Sequence, residues 1–334
     1  MSLRTYSLMT HPAYLRYVER SLYSDAGPAA SEALLPRIDK IQDVAEYLRI
    51  SHNTIRFLLI NTPKNYRTFE LVKKSGGVRK IRAPRLFLKV VQWWIKDTII
   101  DVLPVDDAAH GFVRGRSFVT NAQKHLGANY VLNVDIKSCF DSVDAKLIEP
   151  IFKKIGYSDA VSLQLSALCS LDGSLPQGAP TSPGLLNQIL SDFDRKMRNI
   201  ADADGLVFSR YADDLTFSAD KRIDQSMVDT ISENLADIGL RLNPKKTHFM
   251  GPNRRKFVTG LTLGDNQVNL PREYLNSLRG WIGHLERKSE ISVEEIARLR
   301  GTLAMVQTVR ASNTERLLKR GREILVSQGG DAKI

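Results

Sequence analysis

The stretch Leu206 to Ser218, LVFSRYADDLTFS, restricts the fold more than any other part of the chain, because it sets two adjacent acids between short runs rich in Val, Phe, Leu and Thr. Such runs around a tight polar turn are the pattern of a β-hairpin. Neighbouring carboxylates repel, so a hairpin holding Asp213 and Asp214 at its tip beside an apolar sheet calls for a compensating cation, most simply a divalent metal. An Asp pair alone is ordinarily a solvated turn. A third acid upstream overturns that reading. In Tyr130 to Val143, YVLNVDIKSCFDSV, an apolar run ends at Asp135, which puts this carboxylate at the C-terminal end of a buried strand, with Phe140 and Asp141 following. With that strand beside the hairpin, Asp135, Asp213 and Asp214 converge. Three carboxylates can hold two magnesium ions about 3.5–4 Å apart, the clamp that stabilises the attacking and leaving oxygens of in-line phosphoryl transfer.

At 334 residues the chain can bury a sizeable core and is expected to form two or three subdomains around one catalytic unit. Its 43% hydrophobic and 25% charged residues argue against wholesale disorder. The net charge of +11 favours a polyanionic partner. A membrane surface would also attract it, but no apolar run reaches the roughly 18–20 residues of a spanning helix. The N-terminal MSLRTYSLMTHPAYLRYVER lacks the continuous apolar core of a signal peptide, so a cytoplasmic protein without membrane attachment is expected. Cys139 and Cys169 suit a reducing compartment and supply no metal-binding spacing.

Between Arg37 and Ile60, Ile41, Val44, Ala45, Leu48, Ile55, Leu58 and Leu59 recur at helical spacing, with a break at Ile50 to Asn53 where Ser51 can cap a second helix. This helix-turn-helix outline leaves DNA binding open through His52, Asn53 and Arg56, beside a plain helical extension packed on the next domain. Tyr66 to Arg85 predicts two strands joined at Ser75-Gly76-Gly77 and carrying Lys73, Lys74, Arg79, Lys80, Arg82 and Arg85. Basic residues on a Gly-tipped hairpin suit a flap over a triphosphate or template backbone, although charge alone fits a solvated hairpin. Leu86 to Val102 predicts a helix with Trp93 and Trp94 in or near the core. HGFVRGRS at 110–117 follows, and then NAQKH, whose Asn121 and His125 stand four apart on one helical face. In Leu175 to Asn187, LPQGAPTSPGLLN, an irregular loop should feed a helix with Ser182 as N-cap and Pro183 at its first position, running to about Ile200. Gln177 is the candidate there for contact with template-primer or the nucleotide sugar. Met227 to Leu240 predicts an amphipathic helix, NPKKT and KFVTG follow at 243–247 and 256–260, and Arg272 to Val326 predicts three helices.

In this order the basic hairpin, NAxxH, DxxxxFD, PQGxPxSP, YADD, NPKKT and VTG resemble the motifs of retron-type bacterial reverse transcriptases, over about residues 37 to 320. The resemblance implies an α+β right-hand polymerase: a palm sheet bearing the acids, β-rich fingers, a helical thumb and an N-terminal helical extension. The implied divisions are 1–62 for the extension, 63–265 for fingers and palm, and 266–334 for the thumb. It implies RNA-templated DNA synthesis with two Mg2+ ions on Asp135, Asp213 and Asp214. Phe140 would be a steric gate against a 2′-hydroxyl, Arg79 (or Arg82) a triphosphate contact, and Lys246 a neighbour of the pyrophosphate leaving group, where a plain surface lysine pair is the alternative. The expected partners are a cognate structured non-coding RNA serving as template and primer, its DNA product, deoxynucleoside triphosphates, host ribonuclease H and an effector protein. Synthesis would start from the 2′-hydroxyl of an internal guanosine to give branched RNA-linked DNA (msDNA), within antiphage defence or a toxin–antitoxin system. With no ribonuclease H, maturase or DNA endonuclease region read in these residues, a group II intron or integrating-element enzyme, which would need more chain, is not expected. Two other readings stand beside this one: a bacterial reverse transcriptase without a retron RNA, and a non-catalytic nucleic-acid-binding scaffold.

Overall fold

The computed structural model describes residues 35–72, 76–309, 311 and 314–327. Lys73, Lys74 and Ser75 of the expected flap tip, residues 1–34 of the expected extension and residues 328–334 lie outside the described residues. The chain forms two compact units. One comprises residues 1–113, 136–196 and 229–243, the other residues 114–135, 197–228 and 244–334.

In the first unit the helical spacing after Arg37 yields helices Gln42–Leu48 and His52–Ile60. Arg49 adopts a left-handed C-cap, and the Ser51 side chain accepts from the Thr54 amide, as its type and position predict. Ile55 and Leu58 face the core while His52, Asn53 and Arg56 stay exposed. Strands β1 (Tyr66–Val72) and β2 (Val78–Pro84) pair antiparallel, and Gly76 and Gly77 both take positive φ (83° and 79°), which glycine tolerates. The β-rich fingers expected here reduce to this one hairpin among the described residues of the unit. Helix Leu86–Ile95 follows, and Trp93 and Trp94 are buried in it. The helix expected to reach Val102 instead widens into a π-turn over Lys96–Ile100. Gln92 ties this helix to its surroundings, donating to Tyr66 Oη and the Leu168 carbonyl, each at 2.7 Å.

The PQG loop differs from the sequence expectation in one respect. Thr181, not Ser182, holds the N-cap position of helix Ser182–Ile189 and makes no side-chain cap there, while the Ser182 hydroxyl donates back to the Pro176 carbonyl at 2.8 Å. The helix expected to run on to Ile200 breaks at Leu190, and Ser191–Ala203 forms a separate one. The loop is also tied to the hairpin, since the Arg82 amide donates to the Gln177 carbonyl at 2.8 Å.

The second unit is built on a four-stranded antiparallel sheet ordered β4-β5-β3-β6, with β3 at Tyr130–Asp135, β4 at Val207–Tyr211, β5 at Asp214–Ala219 and β6 at His248–Met250. β3 is central, and Val131, Leu132 and Val134 are buried on both of its faces. A smaller sheet of β7 (Phe257–Val258), β8 (Leu261–Leu263) and β9 (Val268–Asn269) follows. The three helices expected at the end are present as Arg272–Leu285, Val293–Val309 and Glu315–Ser327. One core joins these parts: Val131 of β3, Val258 of β7, Leu261 of β8, Leu278, Leu303 and Leu325 belong to a single buried cluster. Short helix Phe118–Gln123 enters the same cluster through Val119 and Ala122, its start fixed by a capping box between Ser117 and Thr120.

Gly178 measures how closely the loop approaches β2. Its φ is +121°, and a Cβ there would lie 2.9 Å from Ile81 Cγ2 and 3.2 Å from the Arg82 carbonyl oxygen. Gly178→Ala is expected to cost about 1–3 kcal/mol of stability through strained backbone and overpacking. Chemical denaturation checks it, and an unchanged midpoint would mean the loop does not press on β2.

Candidate active site

Strand register brings the acids together. Asp135, the last residue of β3, is the direct partner of Asp214, the first residue of β5, and Tyr211 pairs with Asp214 from the other side. The two-residue turn Ala212-Asp213 joins β4 to β5, with Ala212 at φ 58°. Primed hairpin turns need this left-handed backbone to match strand twist, and an alanine there carries a strain of roughly 1–2 kcal/mol. Arg210 helps to hold it. This side chain is fully buried, and its Nη1 donates to the Ala212 carbonyl at 3.0 Å.

One oxygen from each of Asp135, Asp213 and Asp214 can be chosen so that all lie within 4.8 Å of one another. Asp135 is only 4% exposed, while Asp214 opens to solvent. Hard carboxylate oxygens clustered this closely fit divalent cations of the Mg2+ or Ca2+ type. The Asp214 carboxyl is pushed up to about 7, first by partial burial, then by the charges of Asp213 and Asp135, with Lys246 opposing. Lys246 lies in a 3₁₀ turn, Pro244–Lys246, and its Nζ stands 2.5 Å from Asp135 Oδ1. Partial burial works against its charge, but the hydrogen bond to Asp135 and the nearby acids outweigh it and hold the ammonium above its ordinary range.

A cavity of about 310 Å³ extends from these acids past Asn133, Thr216 and His248 to Thr259 and Gly260. Thr259 and Gly260 form the turn between β7 and β8, both at positive φ (46° and 80°), and Thr259 Oγ1 donates to the Phe118 carbonyl at 2.7 Å. Asn133 Nδ2 donates to the Phe257 carbonyl at 2.6 Å. The VTG run is thus a hairpin tip beside the acid site. Both residues of NAxxH are buried, Asn121 at 0% and His125 at 1% exposure, and the helix ends at Gln123, before His125.

The other candidate residues belong to the first unit. Arg79 is exposed on β2 opposite Leu71. Arg82, opposite Thr68, has its guanidinium 4.0 Å from the Asp141 carboxylate. Phe140 is half-buried in the short helix Cys139–Ser142, its ring edge-on to Phe112 at 6.5 Å. Gln177 is half-buried and engages β2 through its main chain. Arg210 and Asn133 were not singled out in the sequence. An arginine next to YADD reads as surface charge, and only its burial reveals otherwise.

An acid triad at the end of an antiparallel sheet, with a lysine against it, is an arrangement able to hold the divalent cations that nucleotidyl transfer uses. The sequence family described as "Reverse transcriptase (RNA-dependent DNA polymerase)" matches residues 71–264. Among known proteins, the chain is 33% identical to the Retron Ec86 reverse transcriptase of Escherichia coli, over 85% of this chain and 89% of that protein. It is 34% identical to the Retron Mx65 reverse transcriptase of Myxococcus xanthus, over 84% and 70% of the two chains. It is 30% identical to the Retron Mx162 reverse transcriptase of the same organism, over 81% and 64%. The chain belongs to the retron reverse transcriptases, and it is an RNA-directed DNA polymerase with the α+β right-hand fold. Among the described residues no helix is long and apolar enough to cross a membrane.

The raised Asp214 carboxyl links the site to stability. Without metal, Asp214 binds its proton more tightly in the folded chain (about 7) than at its ordinary 3.8, so folding stability declines as pH rises between these values and the penalty is complete above them. Solvent on its open side tempers the effect. In the metal-free protein Asp214→Asn should leave the melting temperature unchanged below about pH 4 and raise it by about 2 °C or more near pH 8. Calorimetry at the two pH values checks this; a variant less stable than the parent near pH 8 would contradict it.

Proposed function

We propose that this enzyme copies part of a cognate structured non-coding RNA into DNA, priming from the 2′-hydroxyl of an internal guanosine and leaving a branched RNA-linked product. The observation that carries the reading is the convergence of Asp135, Asp213 and Asp214 within 4.8 Å in a chain whose relatives are retron reverse transcriptases. In this reading the three acids hold two Mg2+ ions, which when bound neutralise charge on the attacking and leaving oxygens. Asp135 and Asp214, paired across β3 and β5, set the position of the primer hydroxyl, and Asp213 completes the ligand set from the turn. Lys246, drawn to the acids by their charge, stands ready to meet the departing pyrophosphate.

The remaining roles follow the family pattern. Arg79, with Arg82 as the alternative, contacts the triphosphate from the hairpin; Gln177 contacts the nucleotide or template; Phe140 walls off the sugar 2′ position. Residues 1–62 serve as the helical extension, 63–265 as fingers and palm, and 266–334 as the thumb. Selection of one folded RNA needs surface beyond the acids, and the thumb helices with exposed Arg272, Arg279 and Arg287 supply basic surface for it. Host ribonuclease H and an effector in antiphage defence complete the proposal.

Three experiments test it. Asp213→Asn should reduce DNA synthesis to background while RNA affinity persists, because a metal ligand is lost and the basic contacts remain; primer extension and RNA-binding assays on the same preparation decide it, and undiminished extension would remove Asp213 from the centre. The nucleic acid that co-purifies with the parent enzyme should be a short DNA joined to RNA, and plain RNA without attached DNA would favour the reverse transcriptase without a retron RNA. Phe140→Val should relax exclusion of ribonucleotides by roughly 10-fold or more, as expected when a close-packed wall recedes. Competition between ribo- and deoxynucleotide measures it, and an unchanged ratio with lowered activity would make Phe140 structural.

A further inference from the structure

His125 lies just past helix Phe118–Gln123, its amide donating to the Ala122 carbonyl at 3.1 Å, and it is 1% exposed. Its Nδ1 stands 2.7 Å from Ser218 Oγ and its Nε2 stands 2.7 Å from Ser209 Oγ. Ser209 and Ser218 are themselves buried, at 0% and 2% exposure. In either neutral tautomer one ring nitrogen donates and the other accepts, and a serine hydroxyl can do either, so both contacts are satisfied. The motif that carries His125 is therefore engaged inside the protein and offers no ring edge to a nucleic acid.

The two serines sit on the two arms of the acid-bearing hairpin. Ser209 is on β4, opposite Thr216, and Ser218 is on β5, opposite Val207, so they occupy the same face two rungs apart. One imidazole thus ties the arms together diagonally, behind the acids. The tie matters because β4 is an edge strand with β5 as its sheet neighbour, whereas β5 is held on both sides. Asp135 and Asp214 are fixed to each other by direct strand pairing. Asp213 lies outside the ladder, in the turn that joins β4 through Ala212 to Asp214 of β5, so a sliding of β4 along β5 would reach it through that turn. A small shear of the edge strand would open the acid cluster while leaving the pair of Asp135 and Asp214 in place.

We propose that His125 is a positioning residue of the polymerase centre, clamping β4 to β5 so that Asp213 stays within ligand distance of Asp135 and Asp214. This rests on the reading of Asp213 as a metal ligand. Hydrogen bonds of this kind contribute modestly one at a time, so the effect should appear as a graded loss of metal affinity and turnover.

The test uses the full chain on a plain homopolymer template with a DNA primer, so that recognition of any particular RNA plays no part. Ser209→Ala and Ser218→Ala, which are less disruptive than truncating the histidine, should each raise the Mg2+ concentration for half-maximal extension a few-fold, and the pair by roughly 10-fold. RNA affinity should be unchanged in all of them. His125→Gln should cost roughly as much as the double serine change, and adding it to that double variant should cost little more, since the bonds it would break are already gone. Lowered thermal stability with an unchanged Mg2+ requirement would overturn the proposal and leave His125 a plain structural residue. Loss of RNA affinity with normal metal dependence would overturn it in favour of an RNA contact. The companion Asp213→Asn variant separates the two levels: if it keeps full activity the metal-ligand reading itself fails, whereas if it is inactive and the serine variants are indifferent to Mg2+, only the clamp fails.

Discussion

Three like charges held within 4.8 Å are the constraint on which the second unit depends. Left to themselves these carboxylates would separate, and the upward push on Asp214 to about 7 comes first from partial burial and then from the charges of Asp213 and Asp135. The fold resists it with backbone. Asp135 and Asp214 terminate adjacent strands in register, so separating them means breaking the β3–β5 ladder, whose Val131, Leu132, Val134, Leu215 and Phe217 are buried. Lys246 answers part of the charge from its 3₁₀ turn, and Arg210 and His125 hold the turn and arms of the hairpin from within.

The rest of that unit anchors this sheet. The small sheet β7-β8-β9, the helix Phe118–Gln123 and the three C-terminal helices share one buried cluster with Val131 and Met250 of the acid-bearing sheet. Burial at roughly 25 cal/mol per Å² of apolar surface makes such a shared core the main source of rigidity, and a rigid sheet keeps the three acids preorganised. The cavity from the acids to the Thr259-Gly260 turn is open space next to the acids, framed by strands that this core holds in place.

Much of this was legible in the sequence because it depends on local pattern. The flanking Val, Phe and Leu runs gave the YADD hairpin, the apolar run ending at Asp135 gave β3, and Ser51 marked a helix start through its own side chain. Their convergence rested on register, which alternation and motif order imply together but neither states alone. What stayed hidden depends on contacts and backbone geometry that residue pattern does not mark. The Ser182 hydroxyl was taken by the Pro176 carbonyl instead of capping its helix, and the helix beyond it broke at Leu190 without a proline or glycine to announce the break. Arg210 is a charged residue buried by its surroundings, and the serine partners of His125 lie more than eighty positions away in the chain. Ala212 at positive φ has no sequence mark, since glycine or asparagine would be the usual occupant.

The acids at the joined ends of β3, β4 and β5 are proposed to form one divalent-cation site. Crystals of the enzyme soaked in Mn2+, with diffraction recorded on either side of the manganese absorption edge, test it most directly. An anomalous peak is expected within bonding reach of oxygens from both Asp135 and Asp214, with the Lys246 ammonium withdrawn from Asp135. Manganese bound elsewhere, with Lys246 still on Asp135 at saturating metal, would contradict it.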